Sequence, residues 1–104
     1  MQIVNSENII GEQIDSSLGL VRGSATRSRS IVSDFVAMLK NIVGGEVHEY
    51  TKLLADTREQ AFGRMIKDAE KLDADAIVNV RITTSTISQG TSEILAYGTA
   101  VKLK

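Results

Sequence analysis

The chain has 104 residues, of which 42% are hydrophobic and 24% charged, and twelve basic against thirteen acidic side chains give a formal net charge of −1. This length accommodates one domain, residues 1–104, and the near-neutral charge lacks the attraction to phosphate backbones expected of a nucleic-acid binder. The absence of cysteine excludes disulfides, iron–sulfur clusters and thiolate metal sites, and no window reaches the roughly 18 apolar residues that a membrane span requires.

The N-terminal third predicts extended structure and a cytoplasmic location. The first residues have neither the basic start nor the apolar core of a secretory signal. Residues 2–10 and 13–26 contain short apolar runs interrupted by turn formers, which is typical of a kinked first strand. Gly11 and Gly19 predict a turn or bulge, and Gly23 predicts that another part of the chain passes close to its backbone.

A polar, locally basic segment, residues 22–30, precedes a predicted first helix. Ser30 is a natural N-cap for the apolar run 31–43, which Gly44 and Gly45 would terminate. Arg27 and Arg29 could instead join the positive end of this helix in an anion site, but a solvated linker and cap explain the same residues.

The longest stretch of constant periodicity predicts a second helix that begins between Glu46 and Thr51 and ends near Leu72. Its apolar stripe is formed by Leu54, Ala61, Met65, Ala69 and Leu72. Arg58 falls inside this stripe. Gly63 predicts close packing against another backbone, and Arg64 and Asp68 are spaced for an intrahelical ion pair.

The C-terminal third predicts a β-hairpin. Residues 76–87 alternate, with Ala76, Val78, Val80 and Ile82 on the buried side, and a polar loop at 88–92 leads to a strand over 94–103. The complete order is therefore strand, helix, helix, strand, strand, a soluble α+β domain.

Three acidic or imidazole side chains lie close together before the second helix. His48, the only histidine, stands between Glu46 and Glu49, and these residues could bind a divalent metal ion. A solvated polar helix start also explains them. No nucleophile–base motif accompanies the histidine, so we do not expect an enzyme, and no cofactor is predicted.

Arg58 is the more informative polar residue. An arginine on a core-facing stripe requires a partner, and Glu46 and Glu93 are the first candidates. An ion pair that fixes the geometry of an assembly is one interpretation, and ligand binding is the other.

Four sequence blocks together resemble the YbjQ-like family, which is labelled heavy-metal-binding. The blocks are LGLVRG (18–23), GGEVHEYTKLLADTREQA (44–61), LDADAIVNVR (72–81) and EILAYGTAV (93–101). Asp73 replaces a glycine of the family's usual turn. The lack of cysteine argues against soft heavy metals, which prefer thiolate or imidazole ligands.

The resemblance implies a dodecin-like, two-layer subunit with two helices on one face of an antiparallel sheet, assembled with itself into a ring-shaped homopentamer. It implies no established activity. The motif residues expected to have structural or interface roles are Gly44, Gly45, Glu46, Tyr50, Arg58, Glu93, Tyr97 and Gly98. Two hypotheses follow: a homo-oligomeric binding or scaffold module that binds neither nucleic acid nor membrane, and a metal-binding protein that uses His48 and nearby carboxylates.

Overall fold

The computed structural model describes residues 1–28, 48–88 and 91–104. The described elements are β1 (Gln2–Ile3), β2 (Ile14–Ser28), α1 (His48–Glu70), β3 (Ala76–Ser88) and β4 (Thr91–Leu103). The long helix and the hairpin predicted from the sequence are thus confirmed. The predicted first helix, 31–43, lies outside the described residues, so the described part is an α+β unit with one helix on a four-stranded sheet.

The sheet is mixed and not wholly antiparallel. Its strand order is β1-β3-β4-β2, with β4 antiparallel to both of its neighbours and β1 parallel to β3. The expectation of one kinked first strand over 2–10 and 13–26 was wrong for its first part, because β1 ends at Ile3 and the chain turns before β2 starts, whereas its second part is confirmed as β2. Gly11, with φ of 85°, makes this turn, which the Glu12 amide closes by donating to the Ile9 carbonyl at 3.1 Å.

The main core lies between α1 and the sheet. Ala61, Met65 and Ala69 recur every four residues on one face of α1 and are fully buried. They pack mainly over β2 and β4, where the buried residues are Val21, Ala25, Ile94, Ala96 and Ala100. Leu72, expected on the same stripe, is exposed because α1 ends two residues earlier, at Glu70.

A smaller apolar cluster covers the opposite face at one end of the sheet. Ile9, in the segment between β1 and β2, packs with Ala76, Val78 and Val101. Alternation along β3 and β4 explains the two clusters, since successive side chains point to opposite faces. The N-terminal segment therefore covers one end of the sheet, on the face opposite to α1.

The register of the long strands shifts at four places among the described residues, and two of these bulges contain a residue with positive φ. The β2–β4 register shifts between Ser17 and Gly19, and Gly19 has φ of 121°, so the predicted bulge at this glycine is confirmed. The β3–β4 register shifts between Val78 and Arg81, where Asn79 has φ of 55°. Asparagine tolerates this left-handed conformation better than most residues.

Beyond the bulge at Asn79, β3 leaves the core. Every residue from Arg81 to Ser88 is exposed. Ile82, predicted to be buried, stands opposite Ala96 but is 43% exposed, because α1 lies mainly over β2 and β4. The Cα radius of gyration is 17.1 Å, against about 13 Å for a compact domain of this length. The exposed half of β3 therefore lies outside the core, and the molecule is 55 Å long.

Candidate functional site

An open groove lies where α1, β3 and the N-terminal segment meet. Its volume is about 460 Å³, within the range of small-molecule pockets. It is lined by Ile3, Val4, Asn5, Phe62, Val80, Arg81 and Ile82. Five of these seven side chains are apolar, and Asn5 and Arg81 supply the polar groups.

The bulge at Asn79 builds the floor of this groove. The Asn79 amide donates to the Ser6 carbonyl at 2.9 Å, and the Val80 amide donates to the Val4 carbonyl at 3.0 Å. The Val4 amide in turn donates to the Ile77 carbonyl at 3.0 Å. These backbone bonds hold the N-terminal segment along the edge of β3, so the groove is formed before any ligand arrives.

Arg81 is fixed at the rim of the groove. Its Nη1 donates to the Asn5 carbonyl at 2.7 Å and to the Val80 carbonyl at 3.0 Å, and both of these residues line the groove. Among the described residues no carboxylate pairs with Arg81, since their ion pairs all involve Lys102. The guanidinium therefore retains donors at Nε and Nη2 for another acceptor.

Sequence reasoning did not find this groove. The alternation of apolar and polar residues predicted that Arg81 lies on the solvent side of a regular strand. The sequence therefore indicated no special role for Arg81. Its hydrogen bond to Asn5 joins residues 76 positions apart, and no local pattern encodes such a distance. The one available signal was Asn79, a residue that favours turns and bulges inside an otherwise β-branched stretch.

A second feature of the structure is the close contact between α1 and β2 at Gly23. A Cβ placed on Gly23 would overlap the Met65 amide nitrogen and the Ala61 carbonyl oxygen, and it would lie 2.7 Å from the Arg64 carbonyl carbon. The predicted close approach at Gly23 is thus confirmed. Gly63, which was also predicted to pack closely, is exposed instead, and a Cβ there would meet no atom of the described residues within 4 Å.

Two charged side chains of α1 bind the backbone of β2 on either side of this crossing. Asp68 Oδ2 accepts from the Arg22 amide at 3.1 Å, and Arg64 Nη1 donates to the Ser24 carbonyl at 2.5 Å. Their spacing predicted an ion pair within the helix, but none joins them in the described part of the chain. They bind backbone groups of an edge strand, which would otherwise be free to pair with another strand.

The end of α1 is tied to the end of β4. The Ala74 amide donates to the Ala69 carbonyl at 3.2 Å and the Asp73 amide to the Glu70 carbonyl at 3.0 Å, which is a Schellman motif with Asp73 at the left-handed position (φ 59°). Asp75 Oδ2 then accepts from the Leu103 amide at 2.9 Å. This hydrogen bond, assisted by the charge of Lys102, lowers the pKa of Asp75 below its ordinary value of 3.8.

The structure places Arg58 away from the core of the chain. Arg58 is exposed and Glu93 is half-buried, and no ion pair joins them among the described residues. The expectation that Arg58 lies in a buried stripe was therefore wrong for the single chain: the buried face of α1 runs from Ala61 back to Thr57, and Arg58, one position further on, is exposed. Glu46, the other predicted partner, lies outside the described residues.

Of the remaining predicted site residues, the structure describes the surroundings of Gly98 and Tyr97. Gly44 and Gly45 lie outside the described residues, and the side chain of Tyr50 is not described. Gly98 is buried, and a Cβ there would lie 2.8 Å from Ile77 Cγ2 and 3.0 Å from the Val78 carbonyl oxygen. Tyr97 is half-buried and stands in register between Arg22 of β2 and Arg81 of β3.

The metal hypothesis concerns residues at the boundary of the described chain. His48 and Glu49 begin α1, but only their backbone is described, and Glu46 lies outside the described ranges. Within residues 1–28, 48–88 and 91–104, no group of three histidine or acidic side chains is placed to hold a metal ion. No helix in these ranges is long and apolar enough to cross a membrane.

Comparison with known proteins extends over the whole chain. The chain is 49% identical over 104 residues to a UPF0145 protein of Halorubrum lacusprofundi, with 100% of both chains covered. It is 50% identical over 102 residues to a UPF0145 protein of Archaeoglobus fulgidus, covering 98% of this chain and 94% of that protein. It is 52% identical over 103 residues to a UPF0145 protein of Photobacterium profundum, covering 99% and 100%.

A solved structure shares the fold. A protein of unknown function from Pediococcus pentosaceus, assigned to the DUF74 family, superimposes with a TM-score of 0.63 at 17% identity, covering 100% of this chain and 98% of that one. The YbjQ family model, described as "Putative heavy-metal-binding", matches residues 1–104. The chain therefore belongs to the YbjQ family, as the sequence blocks predicted.

Proposed function

We propose that this protein is a non-catalytic binding or scaffold module that works as a ring-shaped homopentamer. The observation that carries the proposal is the uncovered edge of β3. Among the described residues, β1 pairs only with Ala76 and Ile77, and backbone bonds from the N-terminal segment end at Val80. The next eight positions, 81–88, are all exposed.

The composition of this edge supports a role in association. Edge strands that remain single are usually protected by lysine, proline or short length. Residues 81–88, RITTSTIS, contain neither lysine nor proline, and they include the exposed Ile82 and Ile87. A strand of this length and β-propensity is stabilised when another chain covers it.

The elongated shape supports the same proposal. With a radius of gyration of 17.1 Å and a length of 55 Å, the subunit is more extended than a compact domain of this size, and residues 81–88 of β3 contribute no buried side chain to its core. Repeated contacts between different surfaces of neighbouring copies close into a ring when the rotation between them allows it. The pentameric number rests on the resemblance to the family, and the part of the uncovered edge beyond the groove, residues 83–88, is the surface that such a ring would use.

Native mass spectrometry and sedimentation velocity test this proposal. We expect one species of five times the 11.3-kDa chain mass at micromolar concentration. Ile87→Lys puts a charge on the exposed strand and should dissociate the assembly, whereas Ile10→Lys, at a fully exposed turn position, should not. A wild-type protein that sediments as a monomer or a stable dimer would refute the pentamer.

A further inference from the structure

We propose that the groove beside Phe62 and Arg81 binds an amphipathic monocarboxylate, a molecule with one carboxylate head and an apolar tail of about ten carbons or an aryl group of similar size. This deepens the proposed function, because it names what the binding module would carry. It rests on the geometry of one subunit, so the ring and the ligand can be tested separately.

The shape and lining of the groove select an apolar body. The volume of about 460 Å³ is bounded by Phe62 on the helix side and by Val80 and Ile82 on the strand side. Ile3 and Val4 form the remaining wall and are only half-buried, as is Phe62. An apolar ligand in this position removes these surfaces from water, which is the main favourable term in such binding.

The charge at the rim selects a carboxylate head. Arg81 is held through Nη1 by two carbonyl oxygens, so little rotamer freedom remains to be lost when a ligand binds. Its free Nε and Nη2 donors have the fork geometry that matches the two oxygens of a carboxylate. None of the described residues that line the groove is acidic, so no described side chain of the lining neutralises the guanidinium.

The neighbouring arginine allows general electrostatic attraction to be separated from specific recognition. Arg22 and Arg81 both stand opposite Tyr97, one on each side of β4, and both are exposed. Only Arg81 lines the groove. A ligand attracted merely by positive charge on this face would respond to either arginine, whereas a ligand seated in the groove depends on Arg81 alone.

Calorimetric titration of the full chain with sodium decanoate tests the proposal, with decanol and sodium acetate as matched probes. We expect one decanoate per chain with a dissociation constant on the order of 10⁻⁴ M, which is the efficiency typical of a small flexible ligand. Acetate should show no binding, and decanol should bind about tenfold more weakly because it lacks the charge-assisted hydrogen bonds.

Two pairs of variants locate the site. Arg81→Gln should weaken decanoate binding about tenfold or more while Arg22→Gln leaves it unchanged. Ile82→Glu should abolish binding, whereas Ile82→Lys should retain more of it, because the two variants differ in charge at the same exposed position. Circular dichroism melts of all four variants confirm that each is folded before its binding is measured.

Several outcomes would overturn the proposal. The first is the absence of any binding heat when decanoate is titrated up to 10 mM (a chosen titration limit). The second is equal affinity for decanol and decanoate, and the third is an equal loss of decanoate affinity in Arg81→Gln and Arg22→Gln. Native mass spectra of the same samples report subunit number independently. A pentamer that does not bind decanoate refutes the ligand alone, and a decanoate-binding monomer refutes the ring alone.

Discussion

The backbone of Gly23 in β2 packs directly against the backbone of Met65 in α1, with no space for a side chain between them. This contact fixes the distance between the helix and the sheet. The core above it is built from small residues, Ala25, Ala61 and Ala69, which permit the same close approach.

Gly23→Ala should therefore be strongly destabilising. The added methyl group would overlap backbone atoms of Ala61 and Met65, which cannot move aside as a flexible side chain can. We expect a loss of about 3 kcal/mol or more in the free energy of unfolding, at the upper end of overpacking costs. Urea denaturation followed by circular dichroism measures it.

Gly63→Ala is the matched control on the opposing helix. Gly63 lies within α1, is exposed, and has open space where a Cβ would stand. Alanine should stabilise the protein by about 1 kcal/mol, the difference in helix propensity. If Gly63→Ala destabilises the protein or changes its oligomeric state, another backbone packs there in the assembly.

Asp73→Gly should raise stability by about 0.5–1 kcal/mol. Asp73 occupies the left-handed position of the Schellman motif, where glycine avoids the steric cost of a Cβ. The substitution also removes the 3.5 Å ion pair between Asp73 and Lys102. This pair contributes little to stability, because the Asp73 side chain is almost fully exposed. Asp73→Ala, which loses the same ion pair but keeps the Cβ, should not be stabilising, and thermal melts of the two variants separate these effects.

Asp75 should make stability depend on pH in the acid range. Its pKa is lowered in the folded chain by the hydrogen bond from the Leu103 amide, so the ionised form favours folding. Its contribution is present above the ordinary value of 3.8 and is lost as the pH falls through the lowered pKa of the folded state. Asp75→Asn should flatten this part of the profile, measured by urea denaturation between pH 2 and pH 6 (chosen limits); an unchanged profile would contradict the assignment.

Arg58→Ala should weaken assembly without destabilising the isolated subunit. Arg58 is exposed in the single chain, so its truncation leaves no cavity there. If its guanidinium pairs with a carboxylate of another copy, the alanine variant dissociates, and Arg58→Lys restores only part of the association because an ammonium lacks the bidentate fork. Sedimentation of both variants at equal concentration measures this, and an Arg58→Ala protein with wild-type assembly would remove Arg58 from the interface.

His48 should not hold a metal ion tightly. With one histidine and no cysteine, a closed site would need carboxylates such as Glu46 and Glu49, which are poor ligands for soft metals. Calorimetric titration with zinc, nickel and copper should show only weak binding. A submicromolar site that disappears in His48→Ala would establish the family's heavy-metal label for this chain.

The sequence by itself determined the regular elements and the family. The 3.6-residue period from Leu54 to Ala69 predicted α1, and the turn-forming residues around Asp73 and between the last two strands separated the helix from the hairpin. The sequence also predicted the close approach at Gly23, because a glycine inside a strand indicates that another segment packs against its backbone. These features depend on neighbours within a few positions, so local periodicity and backbone preference suffice to reveal them.

Only the tertiary structure decided where these elements end and what they cover. The bulge at Asn79 separates the buried half of β3 from the exposed half, although Val80 and Ile82 have the same place in the alternation. Arg81 reaches Asn5, and Asp68 and Arg64 reach β2, through contacts 40 to 76 positions apart. Burial and hydrogen bonding at these residues depend on which distant segment lies beside them, and a one-dimensional pattern does not contain that information.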